Sequence, residues 1–75
     1  MNVNMSVNQY FEMTKSTSFS SWQPYTNVEF CKMIAEEVCS CGKHPRYRGF
    51  AKEKRVGLIH RHFAICENCD KVEEF

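Results

Sequence analysis

Two cysteine turns, Cys39-Ser40-Cys41-Gly42 and Cys66-Glu67-Asn68-Cys69, stand 24 residues apart in a chain of 75. No other feature constrains the fold as much. A chain this short buries only about 60% of the surface that it exposes when unfolded, so its apolar core is marginal and a metal or disulfides are usually needed to complete it. The N-terminus has no basic start followed by an apolar run, and a signal peptide is not expected. No stretch approaches the roughly 18 apolar residues of a membrane span. The chain is therefore expected in the cytoplasm, where thiols stay reduced. Five cysteines are also an odd number, which suits a closed disulfide framework poorly.

Metal ligation is the chemistry these turns serve best. A structural zinc takes four donors in a tetrahedron, and two cysteines in one tight turn reach the same ion together. Cys66 and Cys69 have the usual two-residue spacing, and Cys39 and Cys41 are one residue closer. Gly42 permits the left-handed turn that aims backbone N–H groups at the sulfurs. One structural Zn2+ on Cys39, Cys41, Cys66 and Cys69 is thus expected. Two other readings were weighed for the four cysteines. As small buried hydrophobes they would need no such spacing. A redox-active Cys66/Cys69 pair would need a strand–turn–helix context inside a larger α/β domain. Cys31 falls on the apolar side of a helical pattern and reads as a core cysteine. His44 follows the first turn closely enough to stand in for a cysteine, and that alternative stays open. His60 and His62 share one face of a strand, which reads more readily as a solvated or nucleic-acid-facing strand than as a metal site.

The pattern resembles the zinc-ribbon superfamily, in which two cysteine knuckles sit at one end of a small antiparallel sheet. The resemblance covers residues 39–75, with Cys39-Ser40-Cys41-Gly42 as first knuckle and Cys66-Glu67-Asn68-Cys69-Asp70 as second. It implies strands near 47–51 and 56–65, and a third at 71–75 leaving the second knuckle. The turn of the first hairpin is expected within 51–55. Superfamily membership implies no particular activity.

Upstream, Ser6 and Gln9 make a capping box ahead of Val7, Tyr10, Phe11 and Thr14, which predicts a short helix near 7–14. A Ser-rich loop follows, carrying Phe19 and Trp22. Thr26 and Glu29 form a second box, and Phe30, Ile34 and Val38 define one stripe of an amphipathic helix over 26–38. The expected architecture is a small zinc-stabilised α+β domain spanning 1–75. Residues 1–25 form an aromatic-rich N-terminal segment and 26–38 a helix. Residues 39–75 form a two- or three-stranded antiparallel ribbon on which one or two helices pack.

Net charge is only +1, but it is unevenly spread. Residues 43–65 hold seven Lys or Arg against a single acid, Glu53. Four thiolates around a divalent ion carry a local charge of about −2, which offsets part of this. The remainder is a footprint for a polyanion. Arg46, Arg48, Lys52, Lys54, Arg55 and Arg61 are the candidate phosphate contacts, and Tyr47 or Phe50 is placed to stack on bases. The expected function is a zinc-containing nucleic-acid-binding accessory or regulatory protein acting through a basic hairpin. The alternative is a small adaptor or inhibitor, of viral or mobile-element type, that docks on a larger host protein assembly. Phe19 and Trp22 are its candidate anchors, although these N-terminal aromatics read more readily as cover for the small sheet, completing a core that the ribbon cannot form alone. No Ser/His/Asp constellation, phosphate loop or carboxylate pair is visible. With every metal ligand supplied by protein, no position remains to activate water. An enzyme, a small-molecule substrate and a membrane partner are not expected.

Overall fold

The computed structural model describes residues 3–75; Met1 and Asn2, the start of the N-terminal segment taken as 1–25, lie outside the described residues. In chain order the elements are β1 (Val3–Met5), α1 (Val7–Lys15), β2 (Gln23–Pro24), α2 (Val28–Glu36), β3 (Arg46–Lys54), β4 (Gly57–Cys66) and β5 (Lys71–Glu74). A short 3-10 turn, Thr17–Phe19, follows α1. The strands form one antiparallel sheet in the order β1-β5-β4-β3-β2. The fold is α+β as expected, but the ribbon gains a strand at each edge. β1 pairs with β5 and β2 with β3. Both added strands come from the N-terminal segment and are too short to show strand periodicity. No helix among the described residues is long and apolar enough to cross a membrane.

The first helix starts where its capping box places it. Ser6 Oγ accepts from Gln9 N–H and Gln9 Oε1 accepts from Ser6 N–H. The second helix differs. Its N-cap is Asn27, whose Oδ1 accepts from the N–H groups of Glu29 and Phe30, so the predicted Thr26 box does not form. Asparagine is among the best N-caps, and the Asn27 N–H is already held by the Tyr47 hydroxyl at 2.9 Å. α2 ends at Glu36, leaving Val38 beyond it and exposed.

β3 and β4 stay paired from Arg46↔Ile65 to Lys54↔Gly57, so the turn is Arg55-Val56, later than expected. Ala51, Lys52 and Glu53 continue the strand opposite His60, Ile59 and Leu58. Gly57, at φ +124, supplies the backbone geometry that closes so tight a loop.

Alternation along the strands gives the sheet two covered faces. On one, Phe50, Phe63, Ile65 and Val72 pack under Tyr10 of α1 and Phe19 of the 3-10 turn. Tyr10 and Phe19 meet Phe63 and Phe50 edge-on, with ring centroids 5.2 and 5.5 Å apart. The other face lies under α2. There Ile34 is 0% exposed, and the Phe30 ring stacks on His62 at 4.3 Å. Tyr25 N–H donates to the Gly49 carbonyl. A Cβ on Gly49 would run into the Tyr25 carbonyl and the Tyr47 hydroxyl, so only glycine allows this approach.

His62 is buried, where the sequence suggested a solvated or nucleic-acid-facing strand. Its Nδ1 lies 2.8 Å from the Tyr47 hydroxyl, so its polar edge is satisfied without water. Burial, with the charge of His60 adding to it, holds the His62 imidazole below the ordinary histidine range. The unfolded chain therefore takes up this proton more readily than the folded one. The stabilisation is complete above the unfolded value of about 6.5 and is lost as the pH falls toward and through the lowered folded value. His62→Gln removes that component. The melting-temperature gap between wild type and His62→Gln should narrow from neutrality to about pH 5; a constant gap contradicts the buried neutral histidine.

Candidate metal centre

The four cysteines come from two tight turns at one end of the sheet. The first turn lies between α2 and β3. Gly42 N–H donates to the Cys39 carbonyl (2.8 Å) and Cys39 N–H to the Lys43 carbonyl (2.9 Å), with Gly42 at φ +87. The second joins β4 to β5, with Cys66 as the last residue of β4 and paired with Lys71. Here Asp70, at φ +54, occupies the left-handed position. Aspartate tolerates that backbone better than most residues, and in this protein its side chain has a second task. Asp70 Oδ1 accepts from the N–H of Val7, the first residue of α1. That N–H has no partner within the helix, and a carboxylate is favoured at a helix N-terminus.

Sγ atoms of Cys39, Cys41, Cys66 and Cys69 all lie within 4.8 Å of one another. The closest approaches run between the turns, 3.1 Å from Cys39 to Cys69 and 3.5 Å from Cys41 to Cys66, and all are free thiols. Metal–sulfur bonds of about 2.3 Å in a tetrahedron set sulfurs about 3.8 Å apart. The four cysteines are thus positioned to bind one metal ion once the two closest pairs open, Cys39–Cys69 by about 0.7 Å and Cys41–Cys66 by about 0.3 Å. The cluster is compatible with a zinc-ribbon-like knuckle arrangement.

The four thiols divide into two that ionise readily and two that hold their protons. Hydrogen bonds, from the Asn68 side chain first and the Lys43 backbone next, hold the Cys41 thiol down to about 6. The Cys41 backbone N–H, then the Cys69 thiol, lowers Cys39. Burial pushes Cys66 up. Cys69, sharing hydrogen bonds with Cys39 and Cys41, is pushed up to about 12. Four sulfurs this close cannot all carry charge unless a cation joins them.

No family model, no curated protein and no solved structure matches the chain.

The other residues singled out in the sequence are scattered around this frame. Cys31 is half-buried in α2, outside the sulfur cluster. His44 Nδ1 lies 2.7 Å from the Glu37 carbonyl, also outside it. Arg46 reaches Glu67 at 2.6 Å, both side chains exposed. Arg48 lies over the Phe50 ring at 5.3 Å. Lys52, Lys54 and Arg55 sit at the far end of the β3–β4 hairpin and form no ion pair among the described residues.

Packing corrects two expectations, those for Arg61 and for Tyr47 and Phe50, and for Phe19 and Trp22 it favours the core over a partner. Arg61 is not a surface cation. Its Nε and Nη2 donate to the two carboxylate oxygens of Glu74 at 2.7 Å, and its guanidinium lies over Phe19 and Phe63. Those hydrogen bonds raise its pKa further. Tyr47 and Phe50 are not placed for base stacking. The Tyr47 hydroxyl is held by Asn27, His62 and Tyr25, and Phe50 is in the core. Phe19 is buried, and Trp22 stacks on it at 5.1 Å, so both complete the core. Sequence reasoning missed the Asp70–Val7 link. Asp70 in the knuckle and the capping box at Ser6 are each visible in the chain, but nothing in the sequence joins them.

Metal uptake must displace the protons held on Cys66 and Cys69. Calorimetric titration of the reduced protein with zinc, in two buffers of different ionisation enthalpy, should therefore reveal net proton release near neutral pH. Cys69→Ser should lower the bound metal below one equivalent, whereas Cys31→Ser should leave the stoichiometry unchanged. Equal behaviour of the two variants contradicts the assignment.

Proposed function

We propose that the ion is zinc, that its role is structural, and that the protein binds nucleic acid through the β3–β4 hairpin. A set of four thiolates suits zinc among the borderline divalent ions, and a ligand sphere filled by protein leaves no open position for substrate or activated water. One observation supports the binding reading above the others. Arg48, Lys52 and Lys54 project from the same face of β3, Arg55 follows at the turn, and none of the four forms an ion pair among the described residues. Their positive charge is not spent inside the fold. Phosphate contacts of this kind release condensed counterions and make affinity steeply salt-dependent.

A second reading, docking on an acidic protein surface, is favoured by the tip of the same hairpin. Val56 is 96% exposed, Leu58 58% and Ile59 39%. Apolar side chains flanked by cations fit a partner with an apolar cleft and an acidic rim.

Fluorescence anisotropy with a labelled oligonucleotide tests the first reading. Affinity should fall as salt rises. Lys52→Glu combined with Lys54→Glu should weaken binding by about tenfold or more and make the salt slope shallower by about 1 to 2. No binding at low salt refutes it. A stoichiometric complex that survives nuclease treatment and is lost in Val56→Asp supports the second reading instead.

A further inference from the structure

A groove of about 420 Å3 runs between α1 and β3, and among its walls are Tyr10, Phe11, Arg46, Arg48 and Phe50. Its size falls within the range of small-molecule and nucleotide sites. Tyr10 and Phe50 form the floor and are buried in the core. Phe11 stands on the helical wall with 41% of its surface exposed, its ring 5.5 Å from that of Tyr10. Arg46 and Arg48 stand on the opposite wall, both exposed. Arg46 is engaged with Glu67, but an ion pair between exposed side chains is worth little and exchanges readily for another anion.

The groove therefore combines an open aromatic ring, an apolar floor and two guanidinium groups. The cationic row continues beyond it. Arg46, Arg48, Lys52 and Lys54 point to the same side of β3, and neighbours two residues apart along a strand are about 6.7 Å from one another. Only position 50 interrupts the row, where Phe50 points to the same side and is covered by Phe19. A flexible polyanion can follow such a row and drop an aromatic group into the groove at its end. A rigid duplex cannot, because its bases are stacked inside it.

We propose that this groove is a base-stacking site for single-stranded nucleic acid. Phe11 is the stacking ring and Arg46 and Arg48 hold the phosphates on either side of the seated base. The inference rests on the nucleic-acid reading of the hairpin and adds strand preference and a named aromatic to it. It also replaces Tyr47 and Phe50, which the sequence offered for this role and the fold has consumed.

The test uses the folded, metal-loaded protein and two labelled probes of equal length, an oligothymidylate and a duplex. Phe11→Ala should weaken oligothymidylate binding about tenfold, the usual effect of losing one base–aromatic stack. It should leave duplex affinity and the salt slope unchanged, since no charge is removed. Phe11→Trp should retain single-strand affinity. A thermal melt matching wild type shows that the exposed side chain was removed without harm to the core. If Phe11→Ala leaves single-strand binding intact while Lys52→Glu with Lys54→Glu weakens both probes, the groove assignment is wrong and the hairpin reading stands. If neither probe binds at low salt, both fall.

Discussion

The four sulfurs meet where two turns, one between α2 and β3 and one between β4 and β5, come together at one end of the sheet. Cys39 follows the helix on one face of the sheet, Cys66 ends the central strand, and Cys69 lies within the turn into β5. An ion shared among them would fix α2, β3, β4 and β5 at a single point. Through Asp70, whose carboxylate receives the first N–H of α1, the same point extends to the helix on the opposite face. Removing the ion would leave four thiols that repel one another as they ionise, at the junction of nearly every element. For metal-dependent domains of this size the binding free energy is folding free energy, of order 10 kcal/mol.

The opposite end of the molecule is built in the reverse manner. β5 covers β4 only from Phe63 onward and β2 covers β3 only at Phe50 and Ala51. Beyond them the β3–β4 hairpin is a two-stranded arm, and it contributes to the 41 Å length of a molecule 26 and 21 Å in its other dimensions. An isolated hairpin is marginal in water, so this arm depends on the braced end for its register. Its cations and aliphatic side chains are exposed at the tip. The cysteine cluster and the two small cores thus lie at one end, and the other end is an exposed two-stranded arm. Between the ends, the half-buried Arg61–Glu74 pair and the His62–Tyr47 pair fix strand register on the two faces, each with its polar groups satisfied.

Features that repeat or cluster were legible in the chain. The cysteine pairs announced the metal cluster, the Ser6/Gln9 box gave the start of α1, and alternation in residues 56–65 assigned Phe63 and Ile65 to one face and His62 and Ala64 to the other. Features that depend on long-range contact were not. β1 and β2 have three and two residues, below the length at which any period can be read. Asn27 displaced Thr26 as N-cap because the Tyr47 hydroxyl, 20 residues away, fixes its backbone. Arg61, Tyr47 and Phe50 belong by composition to a basic, aromatic hairpin. Which of them face solvent was decided by α1, the 3-10 turn and α2 packing on the sheet. The hydrophobic pattern of Phe11 is that of a core residue, yet it remains half outside.

If an ion keeps the sheet and its two helices together, removing it must undo them. The amide NMR spectrum of the reduced protein, recorded before and after a strong chelator and again after adding one equivalent of zinc, tests this most directly. Dispersed resonances from α2 through β5 should collapse on chelation and return with the metal. A spectrum that stays dispersed with no metal bound would show that the apolar faces suffice alone, and would contradict the central role given to the cysteine cluster.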